Sequence, residues 1–137
     1  MMEAALSTYL LASSSLVALV ADRITWDERP QGDRLPAVVL QWIDGVPEYS
    51  DEGRAGLTTA RLQIDCWATH EPGKNGSTLA KDVARLVAAA LPVSMTASGV
   101  EFQGLFIESV RDFPPEMAAA QIPIFRRSLD YLITFTE

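Results

Sequence analysis

Polar and apolar side chains alternate along LTTARLQIDCWA, residues 57–68. Leu62, Ile64, Cys66 and Ala68 fall on one side, and Arg61, Gln63, Asp65 and Trp67 on the other. Successive side chains of an extended chain point to opposite faces, so this period of two predicts a strand with one dry and one wet face. IFRRSLDYLITFT, residues 124–136, repeats the pattern, with Phe125, Leu129, Tyr131, Ile133 and Phe135 opposed to Arg126, Ser128, Asp130 and Thr134. AVVLQWI, residues 37–43, is a short β-branched run bounded by turn residues and predicts a buried strand. GVEFQGLFIESV, residues 99–110, alternates with a slip. Val100 and Phe102 share one parity while Leu105 and Ile107 take the other, which a bulge at Gly104 reconciles.

Helical spacing appears twice. In STLAKDVARLVAAALP, residues 77–92, Leu79, Val83, Leu86, Val87 and Ala90 form an apolar stripe, and Lys81, Asp82 and Arg85 lie outside it. Ser77 or Thr78 is placed to cap this helix and Pro92 to stop it, giving about 14 residues and about 21 Å. Near the start, Leu6, Leu10, Val17 and Val20 recur at intervals near three and four or their multiples. Ser14 or Ser15 can cap a second short helix there, so the segment predicts a helical hairpin or a kinked helix. TWDERPQGDRLP, DGVPEYSDEGRAG (44–56) and DFPPEMAAAQIP read as connections because proline, glycine and charge interrupt any period. The order helix, strand, strand, helix, strand, strand predicts an α+β domain. Its sheet is mainly antiparallel, of about four strands, with an N-terminal helical segment and one long helix packed on one face.

Composition narrows the possibilities. A chain of 137 residues with 48% apolar and 21% charged residues fits one folded domain, residues 1–137, rather than a disordered chain. The first 24 residues lack a basic leader, carry Glu3, and have three serines in the apolar run. They therefore predict packed helix rather than a signal peptide or a membrane span. With 18 acidic against 11 basic residues the formal charge is −7. That sign opposes a grip on phosphate backbones, yet suits the wall of a passage through which nucleic acid slides.

The search for chemistry centres on Cys66 and His70, the single cysteine and single histidine. Four residues along a strand span about 13 Å, too far for a shared hydrogen bond, so the pair predicts no catalytic dyad. Cys66 shares the parity of Leu62 and Ile64 and reads as a small core residue. One histidine and one cysteine cannot furnish a zinc site, and the acidic cluster Glu48, Asp51 and Glu52 lacks the calcium-loop pattern. No phosphate-binding glycine loop or hydrolase motif is present, so neither a cofactor nor a metal is expected. Arg127 sits oddly on the side of Leu129. It is expected at an exposed strand end, its stem over apolar surface, or else reaching a carboxylate of a neighbouring subunit. Trp42 and Trp67 read as core or sheet-face residues. DFPPEM, with Phe113 and Pro114, has a stiff apolar shape suited to docking and is equally a plain connector.

Three segments in order carry a resemblance: LPAVVLQWIDGVPEYSDEGRAGLTTARLQIDCWA (35–68), GVEFQGLFIESVRD (99–112) and RRSLDYLITF (126–135). Together with the intervening helix they resemble the tail-completion, or tail terminator, proteins of long-tailed phages, prophages and gene transfer agents. The resemblance implies a structural virion protein without catalysis or cofactor. It implies a homohexameric ring that caps the tail tube at the head-proximal end and meets the tail tube protein and the head–tail connector protein. DNA would pass through the lumen without specific binding, and no membrane is involved. Glu48, Asp51, Glu52, Phe113, Pro114 and Arg127 are then the expected partner-facing or lumen-facing residues, although no shared motif assigns them. The chain departs from its relatives in DFPPEMAAAQIPIF, where they often have a shorter turn. The alternatives are another head–tail connector (neck) protein, a small thiol-dependent enzyme using Cys66, or a ligand-binding domain.

Overall fold

The computed structural model describes residues 1–30 and 34–137, and of Arg54 the backbone only. Two helices, α1 (Met2–Leu11) and α2 (Ser14–Val20), precede a short strand β1 (Ile24–Trp26). Two long strands follow, β2 (Ala37–Ser50) and β3 (Gly53–Thr69), then α3 (Gly76–Ala90), a short β4 (Met95–Ala97), and two more long strands, β5 (Val100–Met117) and β6 (Pro123–Thr136). The sheet order is β1-β2-β3-β6-β5-β4, with β1 parallel to β2 and every other pair antiparallel.

The α+β class stands, and the count of elements is corrected. The sheet is mixed and six-stranded, and three helices are present among the described residues. β1 and β4, three residues each, fell in segments too short for a period to register. Within the predicted connection 25–36, Thr25 and Trp26 belong to β1, whereas Gln31, Gly32 and Asp33 lie outside the described residues. The larger corrections are at 44–56 and 112–117. Both read as connections, and both are strand: β2 continues to Ser50, β3 starts at Gly53, and β5 runs through both prolines to Met117.

All three helices lie on one face. α1 and α2 meet at 88°, and Leu6, Leu10, Leu16 and Val20 are completely buried among Leu40, Ile64, Val83 and Ile133. No single described helix is long and apolar enough to cross a membrane. The helix stripe is as read: Leu79, Val83 and Val87 are buried, Leu86 and Ala90 half-buried. Its cap is not. Asn75 Oδ1 accepts the Ser77 and Thr78 amides at 2.9 and 3.3 Å, so both predicted caps sit within the first turn of the helix. Gly76 makes this start possible, because a Cβ there would stand 2.7 Å from the Thr69 carbonyl carbon. Ser13, rather than Ser14 or Ser15, caps α2. The slip at Gly104 is a register shift between Phe102 and Gly104, as predicted, and a second falls between Ile107 and Ser109.

Candidate functional site

The helices leave the other face of the sheet open. Cross-strand register sets its rows: Asp44, Arg61, Leu132 and Phe106 form one, and Gln41, Gln63, Asp130 and Ser109 the next. Arg61 binds Glu108 at 2.7 Å, Arg111 binds Asp130 at 3.0 Å, and the Arg111 guanidinium also donates to Gln63 Oε1 at 3.1 Å. These side chains line a shallow hollow of about 380 Å³. Its positive and negative groups are already paired, and such exposed pairs add at most ~1 kcal/mol each. The hollow is therefore close to electroneutral, an ordered polar floor rather than an anion or cation trap.

Deeper in the same face, Asp65 is 4% exposed and accepts hydrogen bonds from the Ser128 hydroxyl and from Gln63 Nε2 at 3.0 Å. The Arg126 guanidinium approaches it to 3.6 Å. Beyond it runs an alternating stack. Arg29 lies 5.3 Å from the Trp67 ring, Arg126 lies 4.9 Å from Trp67 and 3.7 Å from Phe113, and Arg111 lies 5.3 Å from Phe113. The cations are attracted to the negative faces of the rings, which ties side chains of β3, β5 and β6 together across this face. Phe113 is thus a half-buried member of this stack, and the neighbouring Pro114 is exposed.

The strands outrun the helix layer at both ends. On β2 the burial stops abruptly: Ala37 to Leu40 are buried and Gln41 to Asp44 are exposed. The remainder of β2 and the start of β3 form one hairpin arm, whose tip carries exposed Glu48, Asp51 and Glu52. At the opposite end β5 and β6 form a second arm, joined by a short 3-10 turn, Ala119–Gln121, with Met117 and Ile122 exposed. Antiparallel order places the two arms at opposite ends of the strand direction. The residues expected at partner or lumen surfaces are therefore split. Three stand on one arm, Phe113 and Pro114 on the other.

Arg127 points to the helix side, as its parity required. There it donates two parallel hydrogen bonds to Asp112 of the same chain, at 2.7 and 2.8 Å. Those bonds, helped by the charges of Arg127 and Lys81, hold the Asp112 carboxyl below its ordinary value. The same bonds raise Arg127. Its side chain is 27% exposed, and its carboxylate partner belongs to the same chain.

Cys66 is completely buried on the helix side. Burial first, and the charge of Asp65 second, push its thiol well above the usual range, which suppresses the nucleophilic thiolate. His70 is committed elsewhere: its Nδ1 accepts the Gly76 amide at 2.9 Å and its ring leans on Phe125. No group of three or more potential metal ligands occurs among the described residues.

Sequence reasoning found the wet faces of β3 and β6 and missed the pairing across them. Gln63 and Arg111 lie 48 positions apart, and Arg61 and Glu108 lie 47 apart. Only cross-strand register brings such residues together.

Comparison with known proteins gives two findings. The sequence model of a family described as tail completion protein gp17 matches residues 4–121. Among solved structures, a chain from the virion of a native gene transfer agent particle has a TM-score of 0.73 at 21% identity, over 98% of this chain and 93% of that one. At that identity the likeness is one of fold. A search of curated proteins found no match.

Proposed function

Because the chain belongs to the tail completion protein gp17 family, a family of structural tail proteins, we propose that it is a tail terminator. In this reading six copies close into a ring on the head-proximal end of a finished tail tube, and the ring meets the head–tail connector on its far side. The family match over residues 4–121 carries the reading. Two features of the molecule support it. The arms extend from opposite ends of the sheet, the arrangement a subunit needs to touch one partner below and another above. The hairpin tip with Glu48, Asp51 and Glu52 supplies negative charge to a lumen wall or rim, where it keeps duplex phosphates from sticking as they pass.

Phe113 and Pro114 face a partner from the other arm. Arg127 supports that arm through Asp112. Cryo-electron microscopy of the purified protein, alone and with its tail tube protein, tests the proposal. Six-fold rings seated on tube ends are the expected result. A protein that stays monomeric beside the tube overturns it, and a ring found only at the portal side assigns the chain to the neck instead.

A further inference from the structure

Twelve large apolar residues are exposed among those described, and eight of them lie on two strands: Trp42, Ile43, Val46 and Tyr49 on β2, and Phe106, Ile107, Val110 and Met117 on β5. Those strands also hold the free edges of the sheet. β1 pairs only with Val38 to Leu40 of β2, and β4 only with Val100 to Phe102 of β5. Among the described residues, the outer edges of β2 from Gln41 and of β5 from Phe106 onward are unpaired, the Leu105 amide being taken by the Val93 carbonyl at 2.8 Å. Long, apolar, uncovered edges template pairing with another strand, and soluble monomers normally blunt them with lysine, extra proline or a covering element. Neither edge here carries a lysine, and their prolines, Pro47 on β2 and Pro114 and Pro115 on β5, lie toward the arm tips and leave 41–44 and 106–109 unblunted by either residue.

The two edges also match in direction. β2, β3, β6 and β5 alternate in sense, so β5 runs opposite to β2. A second copy placed beside the first in the same orientation would present its β2 antiparallel to the β5 of its neighbour, continuing the alternation. We propose that the open edge of β5 in one copy pairs antiparallel with the open edge of β2 in the next, Ile107 and Val110 packing beside Trp42 on the helix side and Phe106 beside Ile43 and Val46 on the open face. This rests on the ring reading and specifies how its subunits join. The contact is head to tail: each copy uses two different surfaces, so assembly proceeds until rotation closes it. β1 and β4 cap diagonally opposite ends of the two edges, which leaves residues 41–44 and 106–109 without a partner among the described residues at the same level of the sheet.

Two edge variants at exposed positions test this: Ile43→Lys with Val46→Lys, and Ile107→Lys with Val110→Lys. Native mass spectrometry reads the assemblies, with tail tube protein added if the wild type assembles only on it. The expected result is that neither variant forms rings alone. Mixed, each supplies the edge the other lacks, and they give a 1:1 dimer that grows no further. Rings in both variants would overturn the edge contact while leaving the ring reading intact. A β2-blocked variant that dimerises alone would overturn the head-to-tail order. A wild type that never assembles, even on the tube, sinks both. Should the variants unfold, amide hydrogen exchange on the wild type decides. Peptides over 41–50 and 104–117 are expected to slow by at least about tenfold on assembly, and unchanged exchange in formed rings overturns the contact.

Discussion

β2 begins beneath helices and ends in solvent. From Ala37 to Leu40 every residue is buried, and from Gln41 on the same strand exposes large apolar groups beside acidic ones. The covered half is built as a core is built, with Leu40, Ile64, Phe102 and Ile133 almost entirely out of water. The arms keep backbone pairing and give up burial. Stability and assembly are thereby placed on different residues of the same strands, so substitutions can damage one without the other. The arms differ as well: one tip is acidic, while the other is stiffened by Pro114 and Pro115 and braced by the Arg126–Phe113 stack.

The sharpest break in this comparison comes from the core. Phe102→Ala removes a ring that is 1% exposed and is expected to cost about 3–5 kcal/mol in urea unfolding. Val46→Lys, on a residue 64% exposed, is expected to stay within ~0.5 kcal/mol. Equal losses from the two would remove the division between halves.

Alkali probes the covered half next. Burial pushes Tyr131 from its ordinary 10.0 to about 12. A raised folded value means that this contribution is fully present below pH 10 and is lost as pH climbs through about 12. The loss is about 2–3 kcal/mol. Tyr131→Phe should flatten that part of the alkaline decline in stability, and an unchanged profile would count against it.

Gly76→Ala comes third, at about 1–3 kcal/mol, since the new Cβ meets the backbone of Thr69 and His70 at 2.7 and 2.9 Å. Thermal melts of the variant read it directly, and an unshifted midpoint would mean the start of α3 yields easily.

The smallest effect belongs to the β5 arm. Asp112 has a depressed folded value, so its pairing stabilises above the ordinary 3.8 and fades as pH falls below it. Arg127→Gln is expected to lower stability by less than ~1 kcal/mol at neutral pH, because the pair is partly exposed. Unfolding curves in acid should show the difference vanish, and a gap that persists there would assign Arg127 a packing role instead.

Much of the covered half was legible along the chain. Leu62, Ile64, Cys66 and Ala68 are all buried, as their parity required, and the bulge at Gly104 follows from a visible change of parity. DGVPEYSDEGRAG read as a loop because proline, glycine and acidic residues disfavour strands by themselves. The structure pairs it across β2 and β3 regardless, with register shifts at Trp42/Asp44 and Pro47/Tyr49 taking up the misfit. Gly45 lets the Trp42 ring lie against the arm, where a Cβ would come within 2.1 Å of it.

By itself, the order of residues determined which side of each strand and of α3 turns inward, because a periodic pattern acts on its own segment. It also determined the acidic balance and the isolation of Cys66 from His70. Only the tertiary structure decided how far the strands extend, which charges pair across the open face, and which edges remain unclaimed. Those outcomes depend on hydrogen bonds and contacts between residues dozens of positions apart, and no local pattern records a distant partner.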